Sequence, residues 1–439
     1  MISSFFGLQT ALRGVLAHQR ELDVTSHNIA NANTEGYSRQ QAVLTATDAL
    51  HLPIGTLFNG NPASLGSGVD VASYQRIRDS FLDLQYRAQN QRLGDADTTS
   101  RSLDQVELAF AEPGDNGLST QLAKFWSAWS DVSNAPESVA ARQVLVDQAK
   151  TIATSFSELD TQLAQVQQQA ADEYASITGS GGQVEGLAQE IVNLSAAIQR
   201  AVSSGDTPND LLDKRDADLD KLSELGQVSV TDLGDGTIQV NFGDAGVPLV
   251  DATTVNWPQT LTAPGGKLGA LLQLSNAGGT VDTYRTDLAA VAQQLATAVN
   301  TLHNPGGTGT DFFTWTAGTG LSVNVTAATV RTSTSGDPGA NDIALAIAGL
   351  RGDGVDSAYT DLVTRIGSDL NEANRERDNA QVLVNSVDDR RQSTSGVSLD
   401  EEMTNLVRFQ RGYQASARAL SAMDSMLDTL INRTGNVGL

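Results

Sequence analysis

The chain contains no cysteine. That excludes disulfides, thiolate metal sites and cysteine nucleophiles, and it suits a polypeptide that is moved unfolded and must stay free of cross-links. Aromatic residues make up only 5%, so helical packing by Leu, Val, Ile and Ala is expected. Basic residues are scarce, with 28 Lys and Arg against 52 Asp and Glu and a formal net charge of -24. Such a surface repels phosphate backbones and anionic membranes, so no nucleic acid and no membrane insertion is expected. No apolar run approaches the roughly 18 residues of a membrane span. Residues 1 to 20, MISSFFGLQTALRGVLAHQR, show no basic start before an apolar block and no small-residue cleavage site after it. The protein is therefore expected to be cytoplasmic, or exported without a cleaved signal.

Motifs of catalysis and metal binding are missing as well. His18, His27, His51 and His303 lack ligand spacing, and His18 and His27 read as solvated or interface residues. Asp216, Asp218 and Asp220 have the spacing of a calcium loop, but Lys221 and Gln227 stand where such a loop needs Gly and Glu. A solvated helix face is expected there. The glycine-rich GSGGQVEG at 179 to 186 follows a helix, not a strand, which contradicts a dinucleotide fold. No GxSxG, HExxH or P-loop motif occurs. The reading is a protein that is not an enzyme and carries neither cofactor nor metal.

What is present is helical periodicity, and it is clearest at the two ends. At 439 residues about two to four domains are expected. Leu8, Val15, Leu22 and Ile29 recur every seven residues beside Phe5 and Leu12, over a helix of about 25 residues. Near the C-terminus Leu399, Leu406, Tyr413, Leu420 and Leu427 repeat the spacing, with Phe409, Met423 and Leu430 as companions. Ser398 and Glu401 form a capping box at its start, and Asn432 to Gly435 supply the stop after about 33 residues. The ends are nearly neutral: residues 1 to 45 carry no net charge and residues 395 to 439 carry -1, leaving -23 in the middle. Each stripe is too narrow to be covered by one partner. The ends are therefore expected to be poorly ordered in the isolated chain and helical once neighbours cover them.

After the first stripe the sequence reads NIANANTEGYSRQ, residues 28 to 40. Asn tolerates left-handed backbone and competes for helical hydrogen bonds, and Gly36 frees φ. The helix should end here, with an extended segment following. Asn28, Asn31, Asn33, Gly36 and Tyr37 together exceed what a simple cap requires. Residues 11 to 40 strongly resemble the N-terminal signature of the bacterial flagellar axial proteins, the family of rod, hook and hook-associated proteins. Residues 406 to 431, LVRFQRGYQASARALSAMDSMLDTLI, look like its C-terminal counterpart. Residues 66 to 90, 117 to 149 and 209 to 225 resemble the helical region of its hook-associated members.

The middle of the chain supports a long-helix bundle: strong apolar periodicity runs over 140 to 178, 183 to 205, 209 to 225, around 288 to 302 and from 366 to 387. VSVTDLGDGTIQV at 228 to 240 reads as a hairpin, and 321 to 330 as a second strand region. The expected fold is mainly α with a β-containing insertion. Residues 1-45 plus 395-439 form a terminal coiled-coil assembly domain. Residues 46-225 plus 280-303 and 355-394 form the bundle, and 226-279 plus 304-354 a small outer β domain. The resemblance implies a structural subunit of the flagellum that joins hook to filament, passes unfolded through the export channel and packs its terminal helices with neighbours. Implied partners are further copies of itself, the hook protein, a second hook–filament junction protein and a cytoplasmic export chaperone at the C-terminal helix. The alternatives are another axial subunit of hook or distal rod, a secreted effector with axial-type ends, or a free-standing coiled-coil binding protein.

Overall fold

The computed structural model describes residues 5–52, 63–429 and 431. Helix α1 (Phe6–Ala30) ends at the asparagine-rich turn and passes into β1 (Gln40–Ala46) and β2 (Leu50–Leu52); β3 (Ala63–Leu65) and β4 (Val69–Arg76) return antiparallel, β1 pairing with β4 and β2 with β3. This ribbon lies along α1: Arg13 Nη1 donates to the Ser67 carbonyl at 3.1 Å. The boundary expected at residue 45 thus falls inside β1, and the ribbon belongs with the terminal helices.

The bundle begins with α2 (Ser80–Phe110), α3 (Leu118–Asn134), α4 (Val139–Thr178), α5 (Gln183–Ser203) and α6 (Asn209–Leu225). A four-stranded antiparallel sheet follows, ordered β5 (Val228–Asp232), β6 (Ile238–Phe242), β7 (Val250–Asp251) and β8 (Thr254–Val255). The register Asp232↔Ile238 closes the first hairpin around Gly234 and Gly236, both at positive φ. Then come α7 (Gly266–Ser275), α8 (Thr280–His303), the hairpin β9 (Phe313–Thr316) and β10 (Gly320–Val323), α9 (Asp342–Ala348) and α10 (Gly354–Ser395). The last described helix is α11 (Leu399–Asp428), capped by Ser398, whose side chain accepts from the Glu401 N–H.

The strands do not build a separate outer body. Ile238, Val240, Phe242, Phe312 and Phe313 are buried in the same continuous core as Leu145, Leu219 and Ile366. The physical reason is size: two- and four-stranded pieces cannot bury a face alone, so each borrows helices. The four-stranded sheet rests on α5 and α6, and β9–β10 on α4 and α8. Aromatic side chains cluster here, with Phe125 and Trp129 of α3 packed against Phe312 and Phe313 at centroid distances of 5.3 to 6.0 Å.

Helix α2 was invisible to periodicity because of what it buries. Only its last turns add Leu103, Val106 and Phe110 to the core; over its first two-thirds it buries Asp83, Arg87, Gly94, Ala96, Thr98 and Ser100. Such small and polar side chains give no apolar stripe. At Gly94 an added Cβ would lie 2.2 Å from the Glu224 carbonyl oxygen, so the crossing with the end of α6 requires glycine.

Both terminal segments are helical in the single chain and already paired with each other, contrary to the expectation of poor order. Two supports hold them in addition to the stripes. The ribbon braces α1, and polar contacts around Asn28 tie α1 to the start of α11.

Candidate assembly interface and its joint

Helices α1 and α11 run antiparallel. Gly7 faces Met423, Gly14 faces Ser416, His18 faces Gly412 and Asn28 contacts Glu402. An added Cβ on Gly7 would sit 2.8 Å from Met423 Sδ, and one on Gly412 2.7 Å from the His18 ring. Small residues therefore set the close approach of the two backbones. The seam inside the chain is consequently not the leucine stripe. Leu8, Val15, Leu22 and Ile29 flank it half-buried, and Leu12 is 43% exposed. On α11, Leu406, Phe409, Leu420, Met423 and Leu427 are half-buried, while Leu399 and Tyr413 are exposed. Leu430 and the stop at Asn432 to Gly435 lie outside the described residues. Among the described residues α11 fully buries just one side chain, Glu402. Phe5, Leu16, Met403, Val407 and Met426 add to the uncovered apolar surface.

Asn28 is the hub of the signature turn and is 1% exposed. Its Nδ2 donates to the Gln40 carbonyl at 2.9 Å and to Glu402 Oε2 at 3.2 Å. Its Oδ1 accepts from Tyr37 Oη at 2.8 Å and from the Gln40 N–H at 3.0 Å. All four of its bonding positions are used, which only an amide can do at this place. Asn31 caps α1 by donating to the His27 carbonyl at 3.0 Å, and Gly36 turns the chain at φ 77°. Asn33 is exposed. Tyr37 packs edge-on against His27 at 5.5 Å. Burial first, then Asp210, Asp213 and Glu402, hold its hydroxyl well above the usual tyrosine range. Arg39 closes the turn: its N–H donates to the Ser395 carbonyl at 2.8 Å, Nη1 to Glu401 at 2.8 Å, and Nε lies 2.7 Å from Glu402 Oε1.

Beneath the turn is a closed circuit of eight charges. Arg78 bonds Asp83 at 2.7 Å; Asp83 meets Arg391 at 3.1 Å; Arg391 meets Asp220 at 2.9 Å; Asp220 meets Arg87 at 2.8 Å. Arg87 reaches Asp216 at 3.3 Å, Asp216 meets Arg76 at 2.9 Å, Arg76 meets Asp213 at 2.8 Å, and Asp213 returns to Arg78 at 3.6 Å. Four arginines balance four aspartates, drawn from β4 and its exit, α2, α6 and α10. Burial pushes the Asp216 carboxyl up, but Arg78, Arg76 and Arg87 outweigh it and hold it below the usual carboxylate range. The solvated face expected for Asp216, Asp218 and Asp220 is therefore corrected: Asp218 is buried, and Asp216 and Asp220 are enclosed by guanidinium groups. The arginine partners stand 129 to 171 positions away from these aspartates along the chain, so no local spacing could reveal them.

Three of the four histidines have side-chain partners within the fold. His18 pairs with Glu21 at 2.8 Å within the α1–α11 seam, and His27 faces Asp210 at 3.3 Å. His303 is fully buried beside Trp129 and Phe312, where Nε2 accepts from the Arg331 N–H at 3.0 Å. The His51 side chain lies outside the described set. Among the described residues no three His, Cys, Asp or Glu side chains converge as metal ligands, and no helix is long and apolar enough to cross a membrane.

Comparison with known proteins agrees with this layout. Residues 8–37 match the family described as flagella basal body rod protein, and residues 390–433 match the flagellar basal body rod FlgEFG protein C-terminal family. Residues 103–263 match the flagellar hook-associated protein FlgK helical domain. The flagellar hook-associated protein 1 of Bacillus subtilis is 30% identical over 509 aligned positions, which span 99% of each chain. Its Escherichia coli counterpart is 24% identical over 97% of this chain and 99% of its own. The flagellar hook junction protein FlgK of Burkholderia pseudomallei superimposes over 53% of this chain and 47% of its own, at a TM-score of 0.45 and 22% identity. The chain belongs to the flagellar hook-associated protein 1 family and is a structural subunit of the bacterial flagellum at the hook–filament junction.

Proposed function

We propose that the open side of the α1–α11 pair is completed by neighbouring subunits, so that the terminal helices form an inner tube, with the bundle around it and the sheet-bearing part outermost. Leu8, Leu12, Val15, Leu22 and Ile29 of α1 carry this packing with Leu399, Leu406, Phe409, Tyr413, Leu420, Met423 and Leu427 of α11; Leu430 extends the same row. The observation that supports it is that α11, 30 residues long, fully buries only Glu402 in the single chain. Covering eight exposed apolar side chains, Phe5, Leu12, Leu16, Leu399, Met403, Val407, Tyr413 and Met426, is worth on the order of 1 kcal/mol each. That is comparable to the cost of association.

The partners in this reading are further copies of the chain, the hook protein on one side and a second junction protein on the other. Family membership implies assembly in the extracellular part of the flagellum. A cytoplasmic chaperone covers the α11 stripe before export, which proceeds without a cleaved signal. The chain acts without cofactor, catalysis or nucleic acid; its acidic middle keeps the outer wall hydrated. Replacing Leu420→Asp tests the reading. The variant should fold with unchanged helicity yet fail to add to hooks from cells lacking the protein. Hooks that accept it and go on to bear filaments would contradict the assignment.

A further inference from the structure

The continuous apolar core begins at Leu103 and ends at Ala373, and it contains no residue from the terminal helices or the ribbon. Between that core and the terminal unit lie buried polar side chains, Asp83, Arg87, Asn209 and Asp213, all within the network of ion pairs and hydrogen bonds described above. The contacts that cross between the two are polar too. The Ser38 N–H donates to Asp213 at 3.0 Å, Gln40 Nε2 to Asp210 at 2.7 Å, and Asn209 Nδ2 to the Tyr74 carbonyl at 3.1 Å. Arg76 and Arg78 reach over to Asp213 and Asp216, and Arg39 reaches the end of α10. The covalent links are short: Ile77 to Asp79 on one side and Gly396 to Ser398 on the other.

Separating two apolar faces exposes hydrocarbon to water over the whole area. Separating ion pairs and hydrogen bonds exchanges them for water at small net cost, while their geometry still selects one arrangement when closed. We propose that the terminal unit is held on the bundle by an electrostatic joint. The joint can open without unfolding either body, and the aspartates of α6, Asp216 foremost, are the positioning residues that set the angle of the terminal helices. Asp216 is the choice because it meets three arginines, Arg76 of the terminal unit, Arg78 of the link and Arg87 of α2, and none of these lies on the assembly stripe. A subunit at a junction has to bridge two different lattices, and a joint of this kind lets one chain meet both.

The absence of native cysteine makes the test direct. Spin labels at Gln9→Cys on α1 and Ser386→Cys on α10, both exposed positions, report the angle as a distance distribution. In the parent protein at low salt the distribution should be narrow. In Asp216→Asn it should broaden at least twofold, with the near-ultraviolet signal of Trp126 and Trp129 and the thermal transition of the bundle unchanged. Asp216→Glu should restore the narrow distribution, and 1 M salt should broaden the parent in part. A distribution that stays narrow in Asp216→Asn and in 1 M salt overturns the proposal, as does broadening that appears only together with loss of the bundle signal. Should Asp216→Asn fail to fold, the salt titration of the parent decides alone: broadening with the bundle signal intact upholds the joint, and no broadening rejects it.

Discussion

Around Trp129 the bundle closes over Phe125, Phe312, Val132 and Ile347, all fully buried and hydrocarbon-lined. Around Asn28 and Asp213 the fold closes instead over amides, carboxylates and guanidinium groups. Both regions exclude water, yet they do so for different ends. Hydrocarbon packing gives strength that does not depend on direction. A satisfied polar network adds little net stability but admits only one geometry. The terminal helices beyond it bury almost nothing on one side, so the molecule grades from a finished core through a precise joint to an unfinished surface.

The largest expected effect is on the finished core. Trp129→Ala should lower stability by about 3 to 5 kcal/mol, measured by thermal or urea unfolding, because the site is enclosed by Phe125, Phe312 and His303. A loss below about 1 kcal/mol would mean that this core is no stronger than the polar network.

Acid separates the two regions by window. Burial, with Arg331 nearby adding to it, lowers the His303 pKa from 6.5 to about 4. The folded chain keeps this ring neutral while the unfolded chain takes up a proton near pH 6.5. Its contribution is therefore complete above pH 6.5 and is lost as the pH falls toward 4, on the order of 3 kcal/mol in all. Asp216 is depressed, so its contribution is present above the ordinary carboxylate pKa and disappears only below it. Stability against urea should fall between pH 6.5 and 4 in the parent, and His303→Gln should flatten that slope; an equal slope in the variant would assign it elsewhere.

A smaller effect is expected at the hub. Asn28→Ala leaves Glu402 Oε2, Tyr37 Oη and the Gln40 backbone short of partners, at about 1 to 3 kcal/mol. Amide exchange should accelerate over residues 31 to 40 while the bundle helices stay protected. Smallest of all is Leu12→Asp on the open stripe, where the change in unfolding stability should stay within about 0.5 kcal/mol, although addition to hooks should be lost. A clear destabilisation of the isolated chain would mean that this stripe is already covered.

The sequence by itself determined most of the long helices with an apolar stripe: α1, α4, α5, α6, α8, α10 and α11 follow from spacing, and Ser398 and the asparagine-rich turn mark a start and a stop that local chemistry enforces. It also determined the kinship of the two ends, because the signature residues are contiguous. Only the tertiary structure decided that the small β pieces share the bundle core, that α2 is a helix with a polar buried face, and that α1 meets α11 through Gly7, Gly14 and Gly412, not through leucines. It alone turned an apparent solvated row of aspartates into a ring of ion pairs. The reason is common to all of these: they depend on which other element covers a surface, often one more than a hundred residues away as for Arg87 and Asp216, and periodicity reports only which face of an element is apolar.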